Sequence, residues 1–193
     1  MAKLHFFYST MNAGKSTSLL QANHNYKEAG LETLVFIPKE MEAFSDGKIV
    51  SRIGLEKKAI IADKNLNFLQ YIKDNKTKNL ACVLIDEAQF LTKQQVMQLG
   101  EVADTMSFPV LCYGIRTDFK GELFEGSSTL LALADNLIEL KTICSICARK
   151  ATMVVRLNSK GEVLKEGLQL KVGGNDIYKV VCRKHFRKLT KLI

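Results

Sequence analysis

The sequence has no tryptophan and only two prolines in 193 residues. So little proline excludes a proline-rich linker or spacer, and no tract is compositionally biased. No segment repeats at a fixed period, which excludes a solenoid or repeat array. No apolar run is long enough to span a bilayer, so no membrane partner is expected. Met1-Ala2-Lys3 leads directly into strand-like sequence without the apolar stretch of a secretion signal, and a cytoplasmic location is expected. In that reducing setting the five cysteines favour metal binding over disulfides. Negative charge is also scarce: 28 Lys and Arg face 20 Asp and Glu, a formal charge of +8. Such a surplus suits nucleic acid, a polyanionic small substrate or simply a basic surface. Much of it gathers near the end, in Arg183, Lys184, Arg187, Lys188 and Lys191, while elsewhere Lys alternates with acidic residues. A nucleic-acid partner is therefore not expected. Apolar residues at 47% are enough for a real core, and the length fits one large domain or one domain with a small appendage.

What is present is organised around residues 4–22. An apolar, aromatic run leads into a polar loop, then Gly14-Lys15-Ser16-Thr17, then helix-forming residues. Strand, loop and helix in that order, with a Gly-Lys-Ser ending, make a phosphate-binding loop. Gly14 lets the backbone approach a phosphate, and consecutive N–H groups form an anion nest. The helix that follows aims free N–H groups and a positive dipole end at the anion. Lys15 adds a point charge for the terminal phosphates, and the Ser16 hydroxyl can reach Mg²⁺. The motif departs from its usual form at Ser9, where glycine ordinarily stands. Read alone, the stretch competes with a chance Gly-Lys-Ser before an ordinary helix.

The pattern then predicts a helix over 15–29 ended by Gly30, a short buried strand over 33–37 stopped by Pro38, and a mobile loop over 39–53. A further strand is expected at 59–62 and a helix over 64–74, from the spacing of Leu66, Leu69 and Ile72. Residues 80–85 are continuously apolar, as in a strand buried on both faces, and end at Asp86-Glu87. Such a strand delivers Asp86 beside the phosphates, where it can hold Mg²⁺ directly or through water. Glu87, beside it but pointing elsewhere, suits a general base. The competing reading is a strand that ends in acidic turn residues. Thr92 is expected to cap a helix reaching about residue 106, followed by a buried strand over 108–114, a short helix over 128–134 and a strand over 136–140. Alternating strands and helices predict an α/β fold: an open parallel sheet with helices on both faces, binding ligands at the strands' carboxyl ends. Phe119 and Phe124, on a glycine-bearing segment leaving that edge, either stack on a base or pack beneath the loop.

Composition shifts at 142. Cys144 and Cys147 form a C-x-x-C pair, and Cys182 and His185 a C-x-x-H pair. Three thiolates and an imidazole suit tetrahedral structural zinc with no open position. The separation of the pairs exceeds ordinary finger spacing, so a segment is inserted between the knuckles, flanked by strands at 153–157 and 177–181. Cys82 and Cys112 lie in apolar strands and read as inert core residues. The expected division is a nucleotide-binding domain over 1–141 and a zinc-binding domain over 142–193.

These pieces together resemble the thymidine kinase family shared by bacteria and the animal cytosol. The resemblance is carried by Ser9-Thr10-Met11-Asn12-Ala13-Gly14-Lys15-Ser16, by Asp86-Glu87-Ala88-Gln89-Phe90, by residues 113–119, by the four zinc ligands and by residues 172–178, nearly end to end. Serine at position 9 is familiar in bacterial members. The resemblance implies a RecA-like P-loop core and transfer of the γ-phosphoryl of ATP to the 5′-hydroxyl of thymidine, giving dTMP for DNA synthesis. It implies that Ser9, Thr10, Met11, Asn12, Ala13, Gly14, Lys15 and Ser16 hold the phosphates, that Ser16 and Asp86 hold Mg²⁺, and that Glu87 is the base. It places Gln89 in the same nucleotide segment. The inserted stretch corresponds to the family's lasso, in which Gln169, Leu170, Lys171, Val172 and Gly173 meet the thymine mainly through backbone, with Tyr178 and Phe119 lining the pocket. A homotetramer inhibited by dTTP is implied as well. One departure stands out: many members carry an Asp-x-Arg-like pattern where this chain has Met41-Glu42-Ala43-Phe44. Arg52 lies near, but the sequence assigns no catalytic arginine.

Two other functions compete. A DNA-linked P-loop ATPase with a zinc ribbon would show DNA-stimulated hydrolysis and a basic stripe on the core domain. A contact-mediating zinc module with a decayed P-loop is opposed by intact Lys15, Ser16, Asp86 and Glu87.

Overall fold

A computed structural model describes residues 2–169 and 177–191, without the side chains of Ala43 and Phe44. The chain begins with β1 (Leu4–Ser9), α1 (Lys15–Glu28) and β2 (Glu32–Pro38). A 3₁₀ turn and α2 (Glu42–Ser45) lead to a hairpin of β3 (Lys48–Val50) and β4 (Glu56–Lys58). Then come β5 (Ile60–Ala62), α3 (Phe68–Asp74), β6 (Leu80–Ile85), α4 (Lys93–Met106), β7 (Val110–Ile115), α5 (Glu125–Leu133) and β8 (Asn136–Glu139). The last part holds β9 (Thr142–Ile143), β10 (Lys150–Ala151), β11 (Met153–Leu157), β12 (Val163–Leu164), β13 (Tyr178–Val181) and α6 (Arg183–Thr190).

Six strands form one sheet in the order β5-β2-β6-β7-β1-β8, all parallel. The middle of β6 shows why its sequence is uniformly apolar. Val83 and Ile85 face a core shared with Phe68, Ile72, Val96, Leu99, Val102 and Leu130. Cys82 and Leu84 face the opposite core with Leu19 and Leu20 of α1. Alternate residues of one strand thus bury on two faces, with α3, α4 and α5 on one side and α1 on the other. Cys82 and Cys112 are buried in these cores, as expected of structural thiols.

Several boundaries differ from the sequence expectation. Residues 39–53 are not one loop: they carry a 3₁₀ turn, a helical turn and the first strand of a hairpin. The helix expected from 64 begins at Phe68, because the side chain of Asn67 accepts from the Gln70 N–H and caps it there. The helix expected from 128 begins at Glu125. Thr92 caps α4 as expected, in a full capping box with Gln95. Gly30 takes the left-handed conformation just beyond α1.

The C-terminal part builds a separate small core from Met153, Val155, Leu157, Val180, Val181 and Phe186, on the three-stranded antiparallel sheet β12-β11-β13. The basic cluster at 183–188 proves to be a helix that buries Phe186 and leaves Arg183, Lys184 and Arg187 outside. Thr142 ties this part to the first: its hydroxyl donates to the Asn12 carbonyl of the loop between β1 and α1 at 3.0 Å.

Candidate active site

The carboxyl ends of β1, β6 and β7 border a cavity of about 590 Å³. Its wall includes residues 11–17 with Lys15, then Arg52, Glu87, Gln89, Asp118, Phe119, Phe124, Gln169 and Tyr178. The sequence-predicted phosphate loop, base candidate and three of the nucleoside-contacting candidates therefore share one space. Leu170, Lys171, Val172 and Gly173 lie outside the described residues.

The loop between β1 and α1 is shaped by two left-handed residues, Asn12 at φ 60° and Gly14 at φ 74°. That conformation strains any side chain and explains glycine at 14. The Lys15 ammonium folds back into the loop, donating to the Thr10 carbonyl at 2.8 Å and the Ser9 hydroxyl at 3.1 Å. Ser9 thus holds the lysine in this chain, a role that glycine lacks the atoms to play. Burial pushes the Lys15 ammonium below its ordinary value, Glu87 and Asp86 oppose that, and Arg52 adds to the lowering. A desolvated cation in an anion nest is arranged to receive phosphate.

Ser16 donates its hydroxyl to Asp86 Oδ2 at 2.8 Å across the loop. A hydroxyl and a carboxylate oxygen side by side are hard oxygen donors that fit Mg²⁺ with a phosphate completing the set. Asp86 is buried, and its carboxyl is raised to about 7, first by burial and then by Glu87, against the Ser16 hydroxyl, the Glu87 N–H and Lys15. A carboxyl raised above its unfolded value stabilises the fold while protonated and loses that contribution as pH rises through the folded value. In metal-free protein, Asp86→Asn is therefore expected to gain thermal stability relative to the parent as pH climbs from about 4 to about 8. Melting curves in EDTA over that range check it; a constant difference would contradict the assignment.

Glu87 stands in the left-handed region at φ 49°, turning the chain sharply after β6 and setting its carboxylate on the cavity wall rather than along the strand. Gln89 fixes it: Nε2 donates to Glu87 Oε2 at 2.5 Å while Oε1 accepts from the Ile115 N–H at 3.1 Å. A Cβ on Gly114 would come within 2.9 Å of that Oε1, so the strand is kept bare there. Asp118, absent from the sequence-level candidates, is 2% exposed and accepts from the Lys120 and Glu122 N–H groups through Oδ1. Its Oδ2 is buried and has no hydrogen-bond partner among the described residues. Phe119 and Phe124 are both buried, so they pack within the loop while also bordering the cavity, and Phe124 meets Phe90 edge-on. Arg52 reaches the same wall from the turn after β3, where Ser51 and Leu55 hold each other through backbone and hydroxyl bonds.

The four zinc candidates come together in the other core, their donor atoms all within 4.8 Å of one another. Cys144 Sγ lies 3.5 Å and Cys182 Sγ 3.3 Å from His185 Nδ1, and Cys147 Sγ lies 3.9 Å from Cys182 Sγ. A tetrahedron with Zn–S of about 2.3 Å and Zn–N of about 2.0 Å has edges of roughly 3.5–3.8 Å, so the set fits zinc. Burial raises the Cys144 thiol, but the N–H groups of Ile146, Cys182 and Cys147 together with His185 bring it down to about 6, favouring the thiolate that a metal requires. Cys182→Ser is expected to lose the metal and to expose the amides of residues 142–164 and 177–191 to exchange, since structural zinc supplies folding energy. Elemental analysis and hydrogen exchange read both; full metal content with unchanged protection would refute the site.

The family model described as "Thymidine kinase" matches residues 2–186. A protein named thymidine kinase from Haemophilus influenzae is 55% identical over 189 residues, covering 97% of each chain. One of the same name from Coxiella burnetii is 56% identical over 189 residues, with 97% of this chain and 96% of the relative covered. One from Shewanella oneidensis is 54% identical over 189 residues, with 97% and 98% covered.

Proposed function

The chain belongs to the thymidine kinase family, and we propose that the cavity at the end of the parallel sheet is where it transfers the γ-phosphoryl of ATP to the 5′-hydroxyl of thymidine. The observation that carries this reading is the meeting of Lys15, Ser16 and the Glu87–Gln89 pair around one space, with Asp86 hydrogen-bonded to Ser16 behind its wall. The loop over 9–16 wraps the triphosphate with its N–H groups, and Lys15 leaves its carbonyl for a phosphate oxygen. Ser16 and Asp86 would hold Mg²⁺, which would supply neutralisation of the charge on the transferring phosphoryl group. Glu87 accepts the proton of the 5′-hydroxyl as that oxygen bonds to the γ-phosphorus, the bond to the β-phosphate oxygen breaks, and ADP leaves. Gln89 keeps the Glu87 carboxylate turned to the cavity. Phe119 and Tyr178 flank the thymine, with Gln169 and the residues after it supplying polar contacts. The Cys144, Cys147, Cys182 and His185 set holds structural zinc and takes no part in the chemistry.

The proposed division places the nucleotide unit at 1–141 and the zinc-anchored unit at 142–193. Family resemblance supports a homotetramer with dTTP as end-product inhibitor, and thiolate metal ligands agree with a cytoplasmic setting. The alternative of a DNA-linked ATPase is not favoured, because the family match extends through both units. Among the described residues no helix is long and apolar enough to cross a membrane.

The acceptor role of the 5′-hydroxyl has a direct check. 5′-Deoxythymidine, which lacks it, is expected to compete with thymidine while supporting no ATP consumption. Consumption at the thymidine rate would show that the acceptor lies elsewhere.

A further inference from the structure

Arg156 is a buried cation that the phosphoryl-transfer scheme does not use. It sits on β11, opposite Leu164 of β12 and Tyr178 of β13, and is 3% exposed. Its guanidinium carbon lies 3.7 Å from the centre of the Phe119 ring. Nη1 donates to the Leu168 carbonyl at 2.7 Å and Nη2 to the Glu166 carbonyl at 3.5 Å. Nε is buried and has no hydrogen-bond partner among the described residues. Among the described residues no carboxylate stands within ion-pair distance of it. Between the two carbonyls, Gly167 adopts φ +129°, and a Cβ there would fall 2.4 Å from Nη2.

A methionine would fill that volume without desolvating a charge, so packing alone does not account for arginine. What the guanidinium adds is a flat face and a rigid fork used together. The face lies on a ring from the loop after β7, and the fork grips two carbonyls of the segment after β12. Both of the things it holds border the candidate cavity, through Phe119 on one side and Gln169, next to Leu168, on the other. Gln169 reaches back across the gap to the Leu123 carbonyl at 3.4 Å.

We propose that Arg156 is a positioning residue for the nucleoside: it sets the separation between the Phe119 wall and the 166–169 wall, which follow strands of two different sheets. The proposal rests on reading that end of the cavity as the thymidine site. Neutral Met keeps the bulk, Lys keeps the charge without the fork, and Gly167→Ala disturbs the fork while Arg156 stays in place.

The test is steady-state kinetics with thymidine and ATP varied separately, on the full chain with its metal content measured. Arg156→Met and Arg156→Lys are each expected to raise KM for thymidine about tenfold, with KM for ATP and kcat within about twofold and metal content unchanged. Gly167→Ala is expected to shift the same constant in the same direction, and it answers the question should Arg156→Met fail to fold. Phe119→Leu combined with Arg156→Met should cost less than the two changes summed. An unchanged thymidine KM in Arg156→Met and Gly167→Ala overturns the proposal while thymidine remains the substrate. Parental values in Arg156→Lys overturn the fork in favour of simple charge. Equal loss against ATP and thymidine, with a lower kcat, reduces Arg156 to a structural part. If the parent protein shows no thymidine-dependent turnover at all, it is the substrate reading that fails, and this proposal falls with it.

Discussion

Glu87→Gln is expected to lower kcat by about 10²- to 10⁴-fold, the range for losing a positioned general base, with KM for ATP and thymidine little changed. The substitution keeps the side chain's length and its ability to meet Gln89, whose Nε2 now donates to Glu87 Oε2. What disappears is the capacity to accept a proton. A second consequence separates this from simple damage. Glu87 is, after burial, the largest influence raising the Asp86 carboxyl. Without it Asp86 ionises at lower pH, so in metal-free protein the stability contributed by the protonated carboxyl should be lost at lower pH in the variant than in the parent. Rapid-quench or coupled assays read the first effect, and melting curves in EDTA over about pH 4–8 the second. Activity that survives nearly intact would show that Glu87 is not the base.

Lys15→Ala is expected to reduce turnover by at least about 10³-fold, as for removal of a preorganised charge at a transferring phosphoryl group. The fold should persist. Lys15 is 8% exposed and carries a desolvation penalty from its burial, and Ser9 still donates its hydroxyl to the Thr10 carbonyl without it. Melting temperature should therefore stay level or rise while catalysis collapses. Unchanged turnover would dismiss the phosphate-loop reading.

The elements that position the chemistry were legible because each has a local cause. Gly14 and the Lys15-Ser16 pair mark a turn from strand to helix. The run ending at Asp86 must be a strand buried on both faces, and Thr92 with Gln95 marks a helix start. The paired cysteines and histidine announce a ligand set whatever lies between them. Other features depend on partners distant in sequence. The hairpin of β3 and β4 has few apolar residues, so 39–58 carries no period, and Arg52 comes to the cavity only because that hairpin folds beside it. Asn67 moved a helix start that Leu66 had suggested, and the small residues of α5 hid its first turn. Arg156 is the clearest case. All five residues of β11 are buried, although a strand in a small sheet ordinarily leaves alternate positions to solvent. At Arg156 the reason is that the Phe119 ring and the Glu166 and Leu168 carbonyls meet its guanidinium, which no local pattern encodes.

The measurement closest to the central claim is ATP consumption with thymidine, the other deoxynucleosides, thymidylate or single-stranded DNA as the second component, with the mass of each product determined. Thymidine-dependent formation of dTMP, with stoichiometric ADP and no stimulation by DNA, is the predicted result. ATP consumption stimulated by DNA, with no phosphorylated nucleoside, would contradict it.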